Sequence, residues 1–262
     1  MRSALIGHTG FVGSNLRRCS TFDAQFNSRN IEEIEGQSFD LLVCCGMPAA
    51  KWIVNKDPES DLANMNRLLG CLKRTHAKRL VLISTIDVYP VPINVDESTL
   101  IDCQSQHAYG GHRLMLERAL AEHFDSMLII RLPGLFGPGL KKNALYDLLH
   151  NNQIEKLHCN AVFQWYNLEY LWNDVKTALH HNLAVVNFAT EPISVGEMST
   201  IAFNAKFENC PAGAPAKYDF RSRHFACFGG RGGYLYDRGQ VLADLKVFVQ
   251  RERQLQREAC NI

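Results

Sequence analysis

The chain has 262 residues, enough for one large domain or a domain with an added lobe, and its 46% hydrophobic and 21% charged content excludes extensive disorder. Its 28 Lys and Arg against 27 Asp and Glu give a formal charge of +1. That balance excludes the basic excess of a general nucleic-acid binder and the polybasic face of a membrane-surface protein.

Through the first half, short apolar runs alternate with helical patterns, the signature of βαβ units and a parallel sheet. Ser3–Ile6 reads as the first strand and Phe11–Cys19 as the helix after it. Ala24–Ser28 is a weaker second strand, and the stretch from there to the third strand, Asp40–Cys45, has room for little more than one helical turn. Asp57-Pro58-Glu59 opens a helix with a cap residue, proline at the first position and acid in the first turn, and that helix runs to about Arg74. Leu80–Ser84 is the fourth strand, Ser105–His123 a helix, and Met127–Leu132 the fifth strand. Beyond Pro133 the pattern becomes irregular. Lys142–Asn151 reads as a helix, Ala184–Ala189 as a strand, and Ser194-Val195-Gly196-Glu197 has the form of a capping box. Phe225–Gly233 reads as a loop, and Arg238–Glu258 as an amphipathic terminal helix. The expected fold is α/β: a Rossmann-like doubly wound sheet over 1–133 and a small substrate-binding lobe over 134–262, packed together with some exchange of chain.

No apolar run reaches the roughly 18–20 residues of a membrane helix, and the N-terminus carries no cleavable signal pattern, so the chain reads as soluble and cytoplasmic. Nine cysteines (Cys19, Cys44, Cys45, Cys71, Cys103, Cys159, Cys210, Cys227 and Cys260) are odd in number and scattered, with no Cys-x-x-Cys pair. They read as reduced structural thiols. The ten histidines show no metal-ligand spacing, and His180-His181 would point to different helix faces, so no metal site is expected.

Gly7-His8-Thr9-Gly10-Phe11-Val12-Gly13 lies between the first strand and the first helix. Glycines there permit a tight turn and close approach of backbone to a pyrophosphate, which the free N–H groups of the helix N-terminus then hold. The end of the second strand commonly reads the adenosine ribose: an acid suits the 2′-hydroxyl of NAD, an arginine the 2′-phosphate of NADP. Here Ser28-Arg29 follows Phe26-Asn27 with no acid before Glu32, which favours NADP(H) over NAD(H).

Val81-Leu82-Ile83 ends in the hydroxyls of Ser84 and Thr85, and Tyr109 and Arg113 stand at i and i+4 on one helix face. A fixed cation beside a phenol favours phenolate, so Tyr109 is expected to have a lowered pKa and to serve as a general acid/base for an alcohol–carbonyl interconversion.

Together these residues resemble the extended short-chain dehydrogenase/reductase family, the NAD(P)-dependent epimerase/dehydratase group that acts mainly on nucleotide sugars. The likeness is carried by Gly7-x-x-Gly10-x-x-Gly13, by Asp40-Leu41-Leu42-Val43 leading to Pro48-Ala49-Ala50, and by Ser84-Thr85-x-x-Val88-Tyr89. Tyr109-x-x-x-Arg113 and Arg131-Leu132-Pro133-Gly134-Leu135-Phe136-Gly137-Pro138-Gly139 complete it, in the family's order. The resemblance implies that Thr85 orients the substrate oxygen, that Tyr109 moves the proton, and that Gly46, Met47, Pro133 and Leu135 join the glycine loop around the cofactor. Arg113 stands where the family has Lys, and is expected to hold the ribose and stabilise phenolate, so Arg113→Lys should preserve or raise activity. The family's 4,6-dehydratases carry Asp-Glu directly after the strand-end Thr; Ile86-Asp87 here disfavours dehydration and leaves epimerisation or reduction. A homodimer is a further family expectation.

In the smaller lobe, Asn143, Arg221 and Arg223, with Asp87 from the first half, are the expected contacts to a small-molecule substrate; solvated-loop and turn-capping roles are the competing readings of the same residues. The expected function is NAD(P)-dependent oxidation–reduction or epimerisation of a sugar-like hydroxyl. A catalytically weakened NADP(H)-binding sensor or scaffold is the alternative that Arg113 favours.

Overall fold

A computed structural model describes residues 1–102 and 106–260. Six parallel strands form the main sheet in the order β2-β1-β3-β4-β5-β9. These are β1 (Ser3–Ile6), β2 (Ala24–Phe26), β3 (Ser38–Cys44), β4 (His76–Thr85), β5 (Met127–Leu132) and β9 (Val185–Asn187). The chain leaves β1 toward one edge to make β2, then returns to the other side of β1 for β3, so the topological switch lies between β1 and β3. Helices cover both faces because the strands alternate between two apolar sets. Leu5, Val43, Val81 and Ile130 pack on α1 (Phe11–Cys19) and α6 (Leu171–His180) through Leu16, Leu171 and Val175. Ile6, Leu42, Leu80 and Leu82 pack on α3 (Pro58–Lys73) and α4 (Ala108–Ala121) through Met65, Leu68, Leu72, Leu116 and Leu120.

Most expected elements are present, with instructive differences. The β2–β3 connection holds one 3-10 turn, Ile31–Ile34, as its length required. Strand β4 starts four residues earlier than its apolar core, because His76–Arg79 pairs with β3 while exposing polar side chains. An unexpected short helix, α2 (Lys51–Lys56), precedes α3, and Asp57 both ends the one and caps the other, accepting from Ser60 N–H at 3.2 Å. The start expected for α4 at Ser105, and Cys103, lie outside the described residues. His180 and His181 do not diverge: the second is the C-cap, and the rings meet edge to face with centroids 5.3 Å apart.

Residues 134–170 and 188–260 build a second cluster around Phe136, Leu145, Trp165, Met198, Val241 and Leu245. Its elements are β6 (Gly134–Phe136), α5 (Ala144–His150), β7 (Val162–Phe163), β8 (Trp165–Asn167), β10 (Ile193–Ser194), α7 (Val195–Phe203) and α8 (Arg238–Cys260). The β6–β8 and β7–β10 pairs hold only two or three residues per strand. Ser194 caps α7 by accepting from Glu197 N–H, but the Glu197 carboxylate turns to Arg238 instead of closing the box. Between these segments α6 and β9 return to the main sheet, β9 pairing with β5 from Ile129 to Arg131. No helix among the described residues is long and apolar enough to cross a membrane.

Candidate functional site

The carboxyl ends of β1, β3, β4 and β5 lie together at one end of the parallel sheet, where open sheets of this kind form a binding crevice. At its floor Gly7 has φ +82°, and a Cβ there would stand 2.4 Å from the Cys45 carbonyl oxygen. A Cβ on Gly13 would stand 2.1 Å from the Gly7 carbonyl oxygen. Only glycine fits either position, and the fit lets α1 begin tight against the strand ends. Gly10 caps α1 with no side-chain hydrogen bond, so the first-turn N–H groups remain available to an anion. Phe11 and Val12 pack partly into the core and fix the helix, while Thr9 and Gly10 are exposed at the loop tip. His8 Nδ1 is 3.0 Å from the Phe26 carbonyl oxygen, tying the loop to the end of β2. This cradle fits a dinucleotide pyrophosphate by its shape and donors. Gly46 is exposed, and Met47, Pro133 and Leu135 are partly exposed, on the segments that follow β3 and β5.

Ser28 and Arg29 are exposed beyond β2. Arg67 of α3, which the sequence reading passed over, reaches the same corner: its guanidinium donates to the Ser28 carbonyl at 3.0 Å and to Glu32 Oε1 at 2.6 Å.

Thr85 ends β4 and caps the 3-10 turn Ile86–Val88, accepting from Asp87 N–H at 3.2 Å. The N-terminus of α4 lies directly against this turn, because a Cβ on Gly110 would meet the Asp87 carbonyl oxygen at 2.1 Å. That close approach sets Tyr109 beside the end of β4, where Thr85 is one of the groups that act to lower the phenol pKa. Tyr109 is further held by its own N–H, which donates to Asn55 Oδ1 at 3.1 Å. His107 caps the helix by accepting from Gly110 N–H, and burial together with the nearby Lys51 charge lowers its pKa, which suits an accepting ring nitrogen.

Arg113 does lie with Tyr109, its guanidinium carbon 4.4 Å from the ring centroid. Its donors, however, go elsewhere: to Asp61 at 2.6 and 3.2 Å and to the Pro48 carbonyl. His112 also meets Asp61, at 2.8 Å. The expected lowering of the Tyr109 pKa is reversed. Burial of the phenol raises it, and the opposing effects of Arg113, Thr85 and Lys51 only partly offset that rise.

A second cation stands on the open side. Lys51 Nζ donates to Asp87 Oδ1 at 2.8 Å and lies 3.5 Å from the Tyr218 hydroxyl, which donates to the same Asp87 oxygen at 3.3 Å. Burial works against the Lys51 charge, but Asp87 and Tyr218 outweigh it and hold its pKa above the ordinary value. Lys51, Asp61 and Tyr218 were missed in the sequence, which offers no local signal for contacts spanning 36, 52 and 131 residues.

The remaining expected residues are more dispersed. Asn143 has φ +114° and caps α5, its amide bonded to Tyr146 N–H and the Leu135 carbonyl. Arg221 pairs with Asp219, donates to the Gly232 carbonyl and covers the Tyr234 ring. Arg223 is exposed, its backbone N–H donating to Glu97.

Solved structures of similar fold span nearly the whole chain. The UDP-glucuronic acid 4-epimerase of Bacillus cereus, in complex with UDP-glucuronic acid and NAD, superposes with a TM-score of 0.73 at 15% identity, covering 97% of this chain and 100% of its own. An NAD-dependent NDP-hexosamine 5,6-dehydratase involved in tunicamycin biosynthesis gives 0.74 at 15% identity, covering 97% and 98%. The dTDP-4-dehydrorhamnose reductase of Bacillus anthracis, in complex with NADP, gives 0.71 at 15%, covering 95% and 98%. No curated protein sequence matches. A family model, by contrast, matches residues 19–172, more than half of the chain, starting just beyond the glycine loop. By that match, on a Rossmann-like sheet whose neighbours share the fold, this chain belongs to the NAD dependent epimerase/dehydratase family.

Proposed function

We propose that the protein is an NAD(P)-dependent epimerase or reductase of a nucleotide-sugar hydroxyl, with Tyr109 as the acid/base. The observation that carries this reading is the close approach of Gly110 to the Asp87 carbonyl, which sets Tyr109 at the start of α4 beside the Thr85 end of β4. A bound nicotinamide supplies or accepts hydride. Thr85 orients the substrate oxygen, and Tyr109 gives or takes its proton, a role worth about 10²–10⁴ in rate. Gly7, Gly10 and Gly13 admit the pyrophosphate, with His8, Thr9, Phe11 and Val12 forming the rest of its loop and Gly46, Met47, Pro133 and Leu135 lining the far side. Arg113, engaged with Asp61, holds Tyr109 from behind; Lys51 provides the accessible positive charge that the phenolate needs. Asp87, beside the end of β4, with Asn143, Arg221 and Arg223 from the lobe that begins near residue 134, are the expected substrate contacts.

Ser28 and Arg29, exposed at the ribose corner with Arg67 behind them, support NADP(H) over NAD(H). Parallel calorimetric titration of stripped protein with NADPH and NADH tests this: tighter NADPH binding that Arg29→Ala equalises supports the preference, and equal affinities in the parent protein remove it. For the chemistry, Tyr109→Phe should lose about 10²–10⁴ of turnover on a responding nucleotide sugar while keeping cofactor affinity; undiminished turnover removes Tyr109 from the mechanism.

One observation favours a second reading. Arg113 spends its hydrogen-bond donors on Asp61 and the Pro48 carbonyl, and burial raises the Tyr109 pKa, which suits a cofactor-binding sensor or scaffold. Tight cofactor binding with neither redox nor epimerisation across a nucleotide-sugar panel would select it.

A further inference from the structure

Cys159 and Cys210 lie 51 residues apart, yet their sulfurs are 3.2 Å from each other, with His158 completing a close trio. Nothing in the proposed chemistry uses them. Backbone hydrogen bonds hold the two segments together beside the pair. Cys159 N–H donates to the Asn209 carbonyl at 2.8 Å, which puts the two chains within the span a disulfide bridges. The Asn209 side-chain nitrogen lies 2.9–3.2 Å from the carbonyls of Ile154, Glu155 and Leu157, clamping the 154–157 turn to the segment that carries Cys210. The Cys159 carbonyl accepts from Gly196 N–H at 2.9 Å.

A metal ion fits the trio less well. Structural zinc takes four ligands, and this group offers three, with His158 Nδ1 already accepting from Asn160 N–H at 3.1 Å. Two zinc-bound sulfurs also sit about 3.8 Å apart for bonds near 2.3 Å, wider than the contact here.

We propose that Cys159 and Cys210 form a thiol–disulfide couple, oxidised by a low-molecular-weight disulfide. Cys210 is exposed and Cys159 partly buried, so the solution disulfide reaches Cys210 first. The Cys210 thiolate attacks one sulfur of the small disulfide, whose S–S bond breaks, and the departing thiolate takes up a proton. Cys159, as thiolate, then attacks the Cys210 sulfur of the mixed disulfide, forming the protein S–S bond and releasing the second small thiol. One small disulfide is reduced to two thiols as two cysteines are oxidised.

The bond would tether the stretch between α7 and Lys217, which has no regular structure from 205 to 216. That stretch leads into residues 216–218, which hydrogen-bond along Val162 and carry Tyr218 against Phe163, ring centroids 5.6 Å apart. Tyr218 in turn reaches Lys51 and Asp87, so oxidation would stiffen one wall of the crevice.

The test treats the full-length protein with oxidised glutathione and maps thiols by peptide mass spectrometry. The expected result is a 159–210 linked peptide with no glutathione retained on either cysteine, reversed by dithiothreitol. Cys159→Ser should instead trap glutathione on Cys210. The oxidised parent should melt a few degrees higher than the reduced form, a gain absent from both Cys159→Ser and Cys210→Ser. The proposal is overturned if Cys210 of the parent stays as a stable glutathione adduct, or if the pair stays reduced while exposed Cys19 is modified. It is equally overturned if the protein carries one zinc per chain that either serine variant abolishes.

Discussion

Two charged corners flank Tyr109, and they are built to opposite designs. Behind it, Arg113 and Asp61 are side chains 5% and 2% exposed, joined by a two-point contact and closed off by His112 and the Pro48 carbonyl. In front, Lys51 and Asp87 are 38% and 17% exposed and share a single contact. A buried, fully bonded pair cannot change partners without a large desolvation cost, whereas a partly exposed lysine can exchange its carboxylate for a ligand group at little cost. Arg113 is thus a charge committed to Asp61, whereas Lys51, on a different element, is the one exposed enough to exchange partners.

The contrast can be broken most forcefully from behind. Asp61→Ala strands the Arg113 guanidinium in a dry site and should cost about 3–5 kcal/mol of stability, measured by urea unfolding. A loss below about 1 kcal/mol would mean that water enters this corner and that the pair is not sealed. Arg113→Lys replaces a planar fork with a point charge that can satisfy Asp61 or the Pro48 carbonyl but not both in the present geometry. The sequence expectation for this exchange, preserved or raised activity, is a separate matter; for stability the expected outcome is a loss of about 1–3 kcal/mol in the same experiment.

From the front the stability effects are small. Lys51→Met should change unfolding by less than about 1 kcal/mol, as for other partly exposed pairs. Its effect belongs to the phenol: losing that positive charge should raise the Tyr109 pKa further, while Asp87→Asn, removing a negative one, should lower it. Following the Tyr109 ring carbon by NMR across pH reads both shifts. Shifts of the same sign in the two variants would show that Lys51 does not act on Tyr109 through its charge.

The fold was legible wherever periodicity was long enough to be read. Strand–turn–helix at Ser3–Cys19, the cap at Asp57 and the strand Met127–Leu132 are all local patterns, and each is where it was expected. Helix α2 escaped notice because no side chain caps it and Asp57 ends it while starting the next helix. Strands β6, β7, β8 and β10 are too short to show alternation and exist only through their partners. The candidate site divides the same way. Thr85 and Tyr109 could be paired from spacing within a family pattern. The burial of Asp61 could not, since an acid in a first helical turn reads as a favourable dipole partner in solvent. The sign of the Tyr109 shift was misjudged for the same reason: a sequence displays the neighbouring charge but not the depth of the phenol.

Strand β9 also governs the order in which the molecule can be made. Its pairing with β5 means that the sheet's last edge stays unpaired on the ribosome until residue 187 has emerged, well after the other five strands exist. Through that interval Ile129–Arg131 offers an open, largely apolar template for other nascent chains. A fragment cut at residue 133 would keep that template permanently, and should be recovered as aggregate where the full chain is recovered as folded protein.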